Sequence, residues 1–180
     1  MKKAILPAQR LPVSLSTATF FDIPLIFDLM HDGAVAGAFA SVFVERTGSV
    51  KLFWTVCKSV MAQDFQFPAS ARRRAWQVVR GPSGAEVGFL KRCVVLGDCQ
   101  SHHLELLAIR AEHRSQGVGT AVLQDIVGKL PPGAQLTVHC TKYARAMQHM
   151  LKRQGFKRNV RFRLPNLEEY ALTKGNSQAA

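Results

Sequence analysis

The chain has 180 residues, of which 47% are hydrophobic and 20% charged, and its formal net charge is +12. This composition excludes a disordered or fibrous protein, and the length suits a single domain over residues 1–180. No apolar run approaches the roughly eighteen residues of a transmembrane helix, so no membrane partner is expected. The apolar run at residues 4–6 is too short for a signal peptide, which predicts a cytoplasmic protein.

The spacing of cysteines and histidines argues against a disulfide framework and against a metal site. The cysteines lack CxxC spacing, as is typical of free thiols in a reducing compartment; they are Cys57, Cys93, Cys99 and Cys140. His102 and His103 are adjacent, so on a strand their side chains point to opposite faces. We therefore expect no metal.

The first part of the chain predicts a strand and two helices. Residues 13–17 alternate between apolar and polar, as in a half-buried strand. Asp22 is the expected N-cap of a helix with Pro24 in its first turn. One helical face is apolar and consists of Ile23, Ile26, Phe27, Met30 and Ala34. After a loop at residues 46–48, Ser49 is expected to cap a second helix, whose apolar face is Val50, Phe53, Cys57, Val60 and Met61.

The middle of the chain predicts an antiparallel meander of three strands after a linker at residues 63–70. The strands are expected at residues 74–80, 86–96 and 102–110. The turns between them are expected at Gly81-Pro82-Ser83-Gly84 and at Gly97-Asp98.

The last third of the chain alternates between helices and strands. Helices are predicted at residues 117–129 and 144–154, with Gly155 as the C′ residue of the second, and a strand lies between them at residues 136–140. A final strand or hairpin is predicted at residues 161–163 and 169–173, and a frayed tail at residues 174–180.

A glycine-containing turn joins the meander to the next helix and is the most informative motif. It reads Arg114-Ser115-Gln116-Gly117-Val118-Gly119-Thr120 and follows the apolar segment Leu107-Ala108-Ile109. The first N–H groups of a helix lack intrahelical acceptors, and the helix dipole adds positive charge, so the turn predicts a phosphate-bearing ligand. A Walker loop is excluded because its Gly-Lys-Ser/Thr string is absent. A dinucleotide fingerprint is excluded because Val122 stands where its third glycine belongs.

The pattern Arg114-x-x-Gly117-x-Gly119 after this strand resembles the acetyl-CoA motif of the GNAT N-acetyltransferase superfamily. The predicted element order is similar to the GNAT order over about residues 13–173, and Gly155-Phe156 resembles the Gly-Phe that ends the corresponding helix. The resemblance implies an α+β fold, in which a mostly antiparallel, twisted sheet is flanked by helices. It also implies acetyl-CoA as co-substrate and direct attack by a primary amine in a ternary complex.

The resemblance assigns the cofactor-binding residues. Arg114 and residues 115–120 would bind the pyrophosphate, chiefly through backbone N–H groups. The strand edge at Leu107, Ala108 and Ile109 would hydrogen-bond the pantetheine arm, and a backbone N–H of Leu107 or Ala108 would polarise the thioester carbonyl.

Two places in the sequence supply candidates for the base that deprotonates the amine. His103 and Glu105 are two residues apart, so they point to one face of a strand, and the resemblance places them where GNAT enzymes relay a proton through water. His139 lies where some GNAT members carry a glutamate, and it alternates with Val138 and Cys140. The alternative is that each is a structural residue of the sheet.

The candidate general acid departs from the family pattern. The usual tyrosine and asparagine positions hold Leu151 and Ala144, so Tyr143, at the start of the same helix, is the candidate proton donor to the departing thiolate. Cys140 and water are alternatives. A thiolate leaves more readily than an alkoxide, so the absence of the usual tyrosine weakens the mechanism without abolishing it.

Two basic clusters leave the partner open. Six cations lie within residues 152–163, and Arg72-Arg73-Arg74 form a second cluster. They are either solvated faces or a surface for RNA or an acidic protein. The acceptor is therefore a small-molecule amine, a protein amine or an amine on a nucleic acid such as aminoacyl-tRNA, unless the chain is a non-catalytic acetyl-CoA-binding module. The sequence also leaves open whether the chain forms a homodimer.

Overall fold

A computed structural model describes residues 12–39, 46–64, 72–95 and 100–175, which contain seven strands and four α-helices. The strands are β1 (Ser14–Thr17), β2 (Arg72–Arg80), β3 (Glu86–Val95), β4 (Ser101–Ile109), β5 (Gln135–Thr141), β6 (Lys157–Arg158) and β7 (Leu167–Thr173). The helices are α1 (Ile23–Val35), α2 (Arg46–Asp64), α3 (Val118–Gly128) and α4 (Arg145–Arg153).

The strands form one mixed sheet in the order β1-β2-β3-β4-β5-β7-β6. Strands β2 to β4 pair antiparallel, as the predicted meander requires, and β1 adds to β2 in the same sense. Strand β5 pairs antiparallel with β7. Strands β4 and β5 are parallel because α3 carries the chain back across the sheet. The predicted α+β class and its mostly antiparallel sheet are confirmed.

Each face of the sheet carries its own hydrophobic core. Helices α3 and α4 cover one face, and the buried residues there include Leu90, Leu104, Leu123, Val138 and Leu151. Helices α1 and α2 cover the other face, where the buried residues include Ile26, Met30, Val60, Trp76 and Phe89. Because side chains alternate along a strand, each central strand contributes to both cores.

A β-bulge at Glu105 interrupts this alternation in β4. Lys91 of β3 pairs with Leu106, and its neighbour Arg92 pairs with Leu104, so Glu105 is an extra residue in β4. Before the bulge Leu104 belongs to the α3/α4 core, whereas after it Leu107 does. The bulge therefore reverses which residues of β4 face each helix pair just where the strand approaches the glycine turn.

Two predicted elements are wrong. The loop at residues 46–48 with a cap at Ser49 is instead the first turn of α2. A cap signal in the sequence is a weak prior for where a helix begins, and the buried contacts of α2 with α1 and the sheet lie further along, at Val56, Cys57 and Val60. Of the predicted apolar face of α2, Val50, Phe53 and Met61 are exposed.

The predicted strand at residues 161–163 also lies elsewhere, since β6 comprises only Lys157 and Arg158. After β6 the chain leaves the sheet, although the predicted final hairpin is present as the antiparallel pair β6–β7. The backbone N–H of Asn159 still donates to the carbonyl of Glu169 over 2.9 Å. The side-chain amide of Asn159 bonds the Glu169 carboxylate on β7, and the Phe162 ring stacks on His139 of β5. The predicted turn Gly97-Asp98, residues 65–70 of the linker, Cys99 and residues 176–180 lie outside the described residues.

Candidate active site

A cleft opens between β4 and β5 where their pairing ends. The two strands pair with each other from Ser101 with Gln135 to Leu104 with Val138, and beyond that point their register with each other ends. The resulting space has a volume of about 580 Å³. Its walls include residues 104–109 of β4, residues 138–141 of β5, residues 143–147 at the start of α4, and the side chains of Phe39 and Arg114.

The glycine turn lies at the end of this cleft, where Arg114 is part of the wall. Ser115 and Gly117 have left-handed backbones, with φ of 60° and 85°, and α3 begins immediately afterwards at Val118. Glycine adopts that conformation without a steric cost, which explains Gly117. The Nε of Arg114 donates to the carbonyl of Ile109 over 2.9 Å and ties the turn to the end of β4.

Gly119 has a packing role that the sequence does not indicate. A Cβ placed on this glycine would lie 3.1 Å from Sδ of Met150 on α4. A side chain at position 119 would therefore require the flexible end of Met150 to shift by a few tenths of an ångström. The two glycines of the motif thus differ, since Gly117 has a left-handed backbone and Gly119 lies against a side chain of α4.

His139 and Glu169 form a hydrogen-bonded pair across β5 and β7. Nε2 of His139 lies 2.8 Å from Oε2 of Glu169, and the other carboxylate oxygen accepts a 2.6 Å hydrogen bond from Nδ2 of Asn159. Partial burial raises the pKa of Glu169, but the hydrogen bonds from Asn159 and His139 outweigh it and hold the pKa below its usual value. An ionised carboxylate only accepts, so the neutral His139 ring carries its hydrogen on Nε2 and its lone pair on Nδ1.

Two rings surround His139. The Phe162 ring stacks on it with a centroid separation of 4.8 Å and an interplanar angle of 24°. The His103 ring centroid lies 6.4 Å away, which brings together two of the predicted base candidates. His139 is exposed and lines the cleft, whereas Val138 and Cys140 are buried in the α3/α4 core, so the predicted alternation of β5 is confirmed.

Glu105, the third base candidate, is held by two cations. Its carboxylate lies 2.8 Å from Nζ of Lys91 and 3.4 Å from Nε of Arg74. Burial raises the pKa of Glu105, but the two ion pairs outweigh that effect and leave it below the usual glutamate value. A carboxylate with a lowered pKa is a weaker base, so Glu105 is less suited than a neutral imidazole to accept a proton.

The candidate acids differ in access and in proton affinity. Tyr143 stands at the mouth of the cleft and is 67% exposed, whereas Leu151, at the usual tyrosine position, is fully buried. Burial raises the pKa of the Cys140 thiol to about 11, which makes it a weaker acid than an ordinary thiol. Burial and the bond to Glu168 raise the pKa of Tyr170 to about 12, and this tyrosine lies in the α3/α4 core. Of these three candidate acids, Tyr143 is the one that solvent and substrate can reach.

A hydrogen bond ties the far wall of the cleft to β5. Oγ1 of Thr141 donates to the carbonyl of Gly37 over 2.9 Å, in the turn that follows α1. This turn continues to Phe39, which lines the cleft. Thr141 therefore positions a wall segment that comes from a distant part of the sequence.

Sequence reasoning missed Glu169, Asn159, Phe162 and Thr141 as residues of this site. Only the register of β5 against β7 pairs His139 with Glu169, and no local pattern reports that register. Residues 157–163 are conspicuous in the sequence for their basic side chains. Their contacts with the site come instead from the Asn159 amide, which bonds Glu169, and from the Phe162 ring, which stacks on His139.

Solved structures with the same architecture are acetyltransferases of the GNAT fold, so the chain has that fold. An acetyltransferase from Thermus thermophilus is 20% identical, with a TM-score of 0.66 over 91% of this chain and 98% of that one. A GNAT-family acetyltransferase from Bacillus cereus is 17% identical, with a TM-score of 0.57 over 91% and 98% of the two chains.

A third similar structure was solved with ligands. The spermidine N-acetyltransferase from Vibrio cholerae, in complex with CoA and spermine, is 12% identical, with a TM-score of 0.62 over 91% of this chain and 96% of that one. No protein-family model matches the sequence, and no curated protein is significantly similar to it. No helix in the described part of the chain is long and apolar enough to cross a membrane.

Proposed function

We propose that the protein is an acetyl-CoA-dependent N-acetyltransferase that acts on a primary amine. The observation that carries this proposal is the position of the His139–Glu169 pair. His139 lines the cleft that opens where β4 and β5 part, and the first turn of α3 lies at the end of that cleft. An anion-binding turn, an open strand edge and a base in one cleft match the requirements of acetyl transfer to an amine.

The donor site is supported by the turn and by the strand edge. Backbone N–H groups of residues 115–120 are suited to the pyrophosphate because the first turn of α3 leaves such donors without intrahelical acceptors. The edge at Leu107, Ala108 and Ile109 lines the cleft beyond the last β4–β5 pair, where backbone groups that face β5 are available to amides of a pantetheine arm. When bound, acetyl-CoA supplies an acetyl thioester and leaves as a thiol.

His139 is the group that we propose takes the proton from the amine. Glu169 accepts from Nε2, which leaves Nδ1 with the lone pair and stabilises the ring once it is protonated. The predicted relay through His103 and Glu105 stays a prediction. Of that pair, His103 is the better placed, because it lies beside His139, whereas the carboxylate of Glu105 forms ion pairs with Lys91 and Arg74.

Tyr143 is the group that we propose returns a proton to the departing thiolate. Tyr143 lines the cleft and is exposed, and its neighbour Ala144 is the N-cap of α4. Tyr143 is anchored on the β5–α4 connection, where Gln148 Nε2 donates to the carbonyls of Thr141 and Lys142. The start of α4 therefore supplies one wall of the cleft, and the connection that leads into it supplies the proposed acid.

The experiment combines acetyl-CoA binding by calorimetry with thiol release on a panel of polyamines, aminoglycosides, peptides and charged tRNA. We expect binding together with turnover on at least one acceptor. His139→Ala should lower kcat by about 10²-fold or more, whereas His31→Ala, at an exposed position on α1, should not. Binding without turnover on every acceptor would favour a non-catalytic module. Absence of binding would overturn the proposal.

A further inference from the structure

The positive charge of the chain is concentrated in one continuous segment. Residues 126–167 contain nine Lys and Arg residues and no Asp or Glu, whereas the other 138 residues contain fifteen cations and twelve acids. All nine cations are exposed. Among the described residues, only Lys129 and Arg158 of the nine form an ion pair, with Asp125 and Glu168. Seven exposed cations therefore have no recorded acidic partner within the part of the chain that the structure describes.

The fold arranges these cations into a stripe. On α4, Arg145, His149, Lys152 and Arg153 follow the spacing i, i+4, i+7 and i+8, so they share one exposed helix face. Lys142 precedes this face and Lys157, on the edge strand β6, follows it. We call these six residues the basic stripe. Arg145 and Lys152 are about 10 Å apart along the helix axis, so these two cations alone span more than one phosphate spacing of a nucleic acid.

One end of the basic stripe reaches the mouth of the candidate active site. Tyr143 lies between Lys142 and Arg145, is 67% exposed and lines the cleft. Proteins that bind single-stranded nucleic acids present exposed aromatic rings among cations, because a ring stacks on a base while the cations neutralise the phosphates. An acidic protein would use the charges, but it would gain little from the exposed ring.

From this arrangement we propose that the basic stripe is a docking surface for RNA, with Tyr143 as a stacking platform at the cleft mouth. The surface binds the sugar-phosphate backbone through Lys and Arg, and its affinity falls steeply as the salt concentration rises. RNA binding does not require acetyl transfer, so the proposal stands apart from the proposed enzymatic activity.

The test measures binding of a fluorescein-labelled 20-nucleotide oligouridine to the full chain without acetyl-CoA, over a series of KCl concentrations. Lys152→Gln/Lys157→Gln removes two stripe cations, and Lys51→Gln/Lys58→Gln removes two exposed lysines of α2 as a matched control. The stripe variant loses two phosphate contacts, so we expect its affinity to fall about tenfold. The steepness with which the logarithm of its binding constant falls against log salt should decrease by about 1.4, and the control variant should show neither change. Tyr143→Leu should weaken RNA binding about fivefold.

Four results would overturn the proposal. The first is that oligouridine fails to bind at low salt. The second is that both double variants weaken binding equally, which would indicate diffuse attraction. The third is that a polyglutamate peptide of equal charge binds as tightly as RNA and is unaffected by Tyr143→Leu, which would assign the stripe to an acidic protein. The fourth is that saturating CoA displaces the RNA completely, which would assign these charges to the nucleotide end of CoA.

Discussion

The carboxylate of Glu169 joins the two sides of the candidate active site by binding His139 and Asn159 at once. Its Oε2 lies 2.8 Å from Nε2 of His139 on β5, and its Oε1 lies 2.6 Å from Nδ2 of Asn159 in the loop after β6. The ring of Phe162, from the same loop, stacks on His139. One carboxylate therefore orients the proposed base and holds the loop that covers one face of it.

The first prediction concerns that carboxylate. Glu169→Gln removes the charge that fixes the tautomer of His139, so we expect kcat for acetyl transfer to fall about tenfold, the value of one charge-assisted hydrogen bond. The matched control is Glu168→Gln. Glu168 binds Tyr170 and Arg158 on the opposite face of β7, so this change should lower stability but leave kcat unchanged. Equal losses of kcat in both variants would contradict the assigned role.

The second prediction concerns stability in acid. Because the pKa of Glu105 is lower in the folded protein than its ordinary value of 4.5, its ionised form stabilises the fold. That contribution is complete above the ordinary pKa and disappears as the pH falls through the lower, folded-state value. Glu105→Gln should therefore cost about 1 kcal/mol at pH 7 and flatten the loss of stability below pH 4.5. Denaturant unfolding at several pH values measures both effects.

The surface pair of Glu86 with Arg80 provides the comparison for that measurement. Glu86→Gln should change the free energy of unfolding by less than about 0.5 kcal/mol. If Glu105→Gln left the pH dependence of stability unaltered, the ion pairs with Lys91 and Arg74 would not be the cause of the lowered pKa.

The third prediction concerns the close approach of β3 to the cleft strand. A Cβ on Gly88 would collide with the carbonyl oxygen of Ala108 and lie 3.1 Å from Cα of Ile109, both backbone atoms that cannot rotate away. Gly88→Ala should therefore cost about 2 kcal/mol or more in unfolding free energy and weaken acetyl-CoA binding, because Ala108 and Ile109 line the cleft. In contrast, the Cβ of Gly128→Ala would have no atom within 4 Å other than those of its chain neighbours and of its own helix backbone, so this change should be neutral or stabilising.

The fourth prediction concerns the wall segment after α1. Thr141→Val removes the hydroxyl that donates to the carbonyl of Gly37, and it should cost about 1 kcal/mol and raise the KM of the acceptor. The comparison is Thr55→Val, which removes an exposed bond to the carbonyl of Lys51 within α2 and should leave KM unchanged. An unaltered KM for Thr141→Val would show that the wall does not depend on this bond.

Local patterns predicted most of the fold because each core strand and helix carries its own periodicity. The alternation around Val138 predicts β5 and places His139 on the face opposite Val138 and Cys140, and the glycine after α4 ends that helix as expected. The predicted start of α2 and the predicted position of β6 were wrong. A cap signal only weakly limits where a helix begins, and α2 begins at Arg46, before Ser49. After β6, the contacts of the Asn159 and Phe162 side chains with Glu169 and His139 outweigh the local preference for a strand at residues 161–163.

By itself the sequence determined the turn from Arg114 to Thr120, since glycines, a preceding apolar strand and a following helix are all local features. It also determined the net charge of +12 and thus the preference for anionic partners. Only the tertiary structure decided which side chains meet in the cleft. The bulge at Glu105 and the register of β7 on β5 depend on pairing between strands that lie far apart in the chain, and these pairings set His139 beside Glu169 and Glu105 beside Lys91.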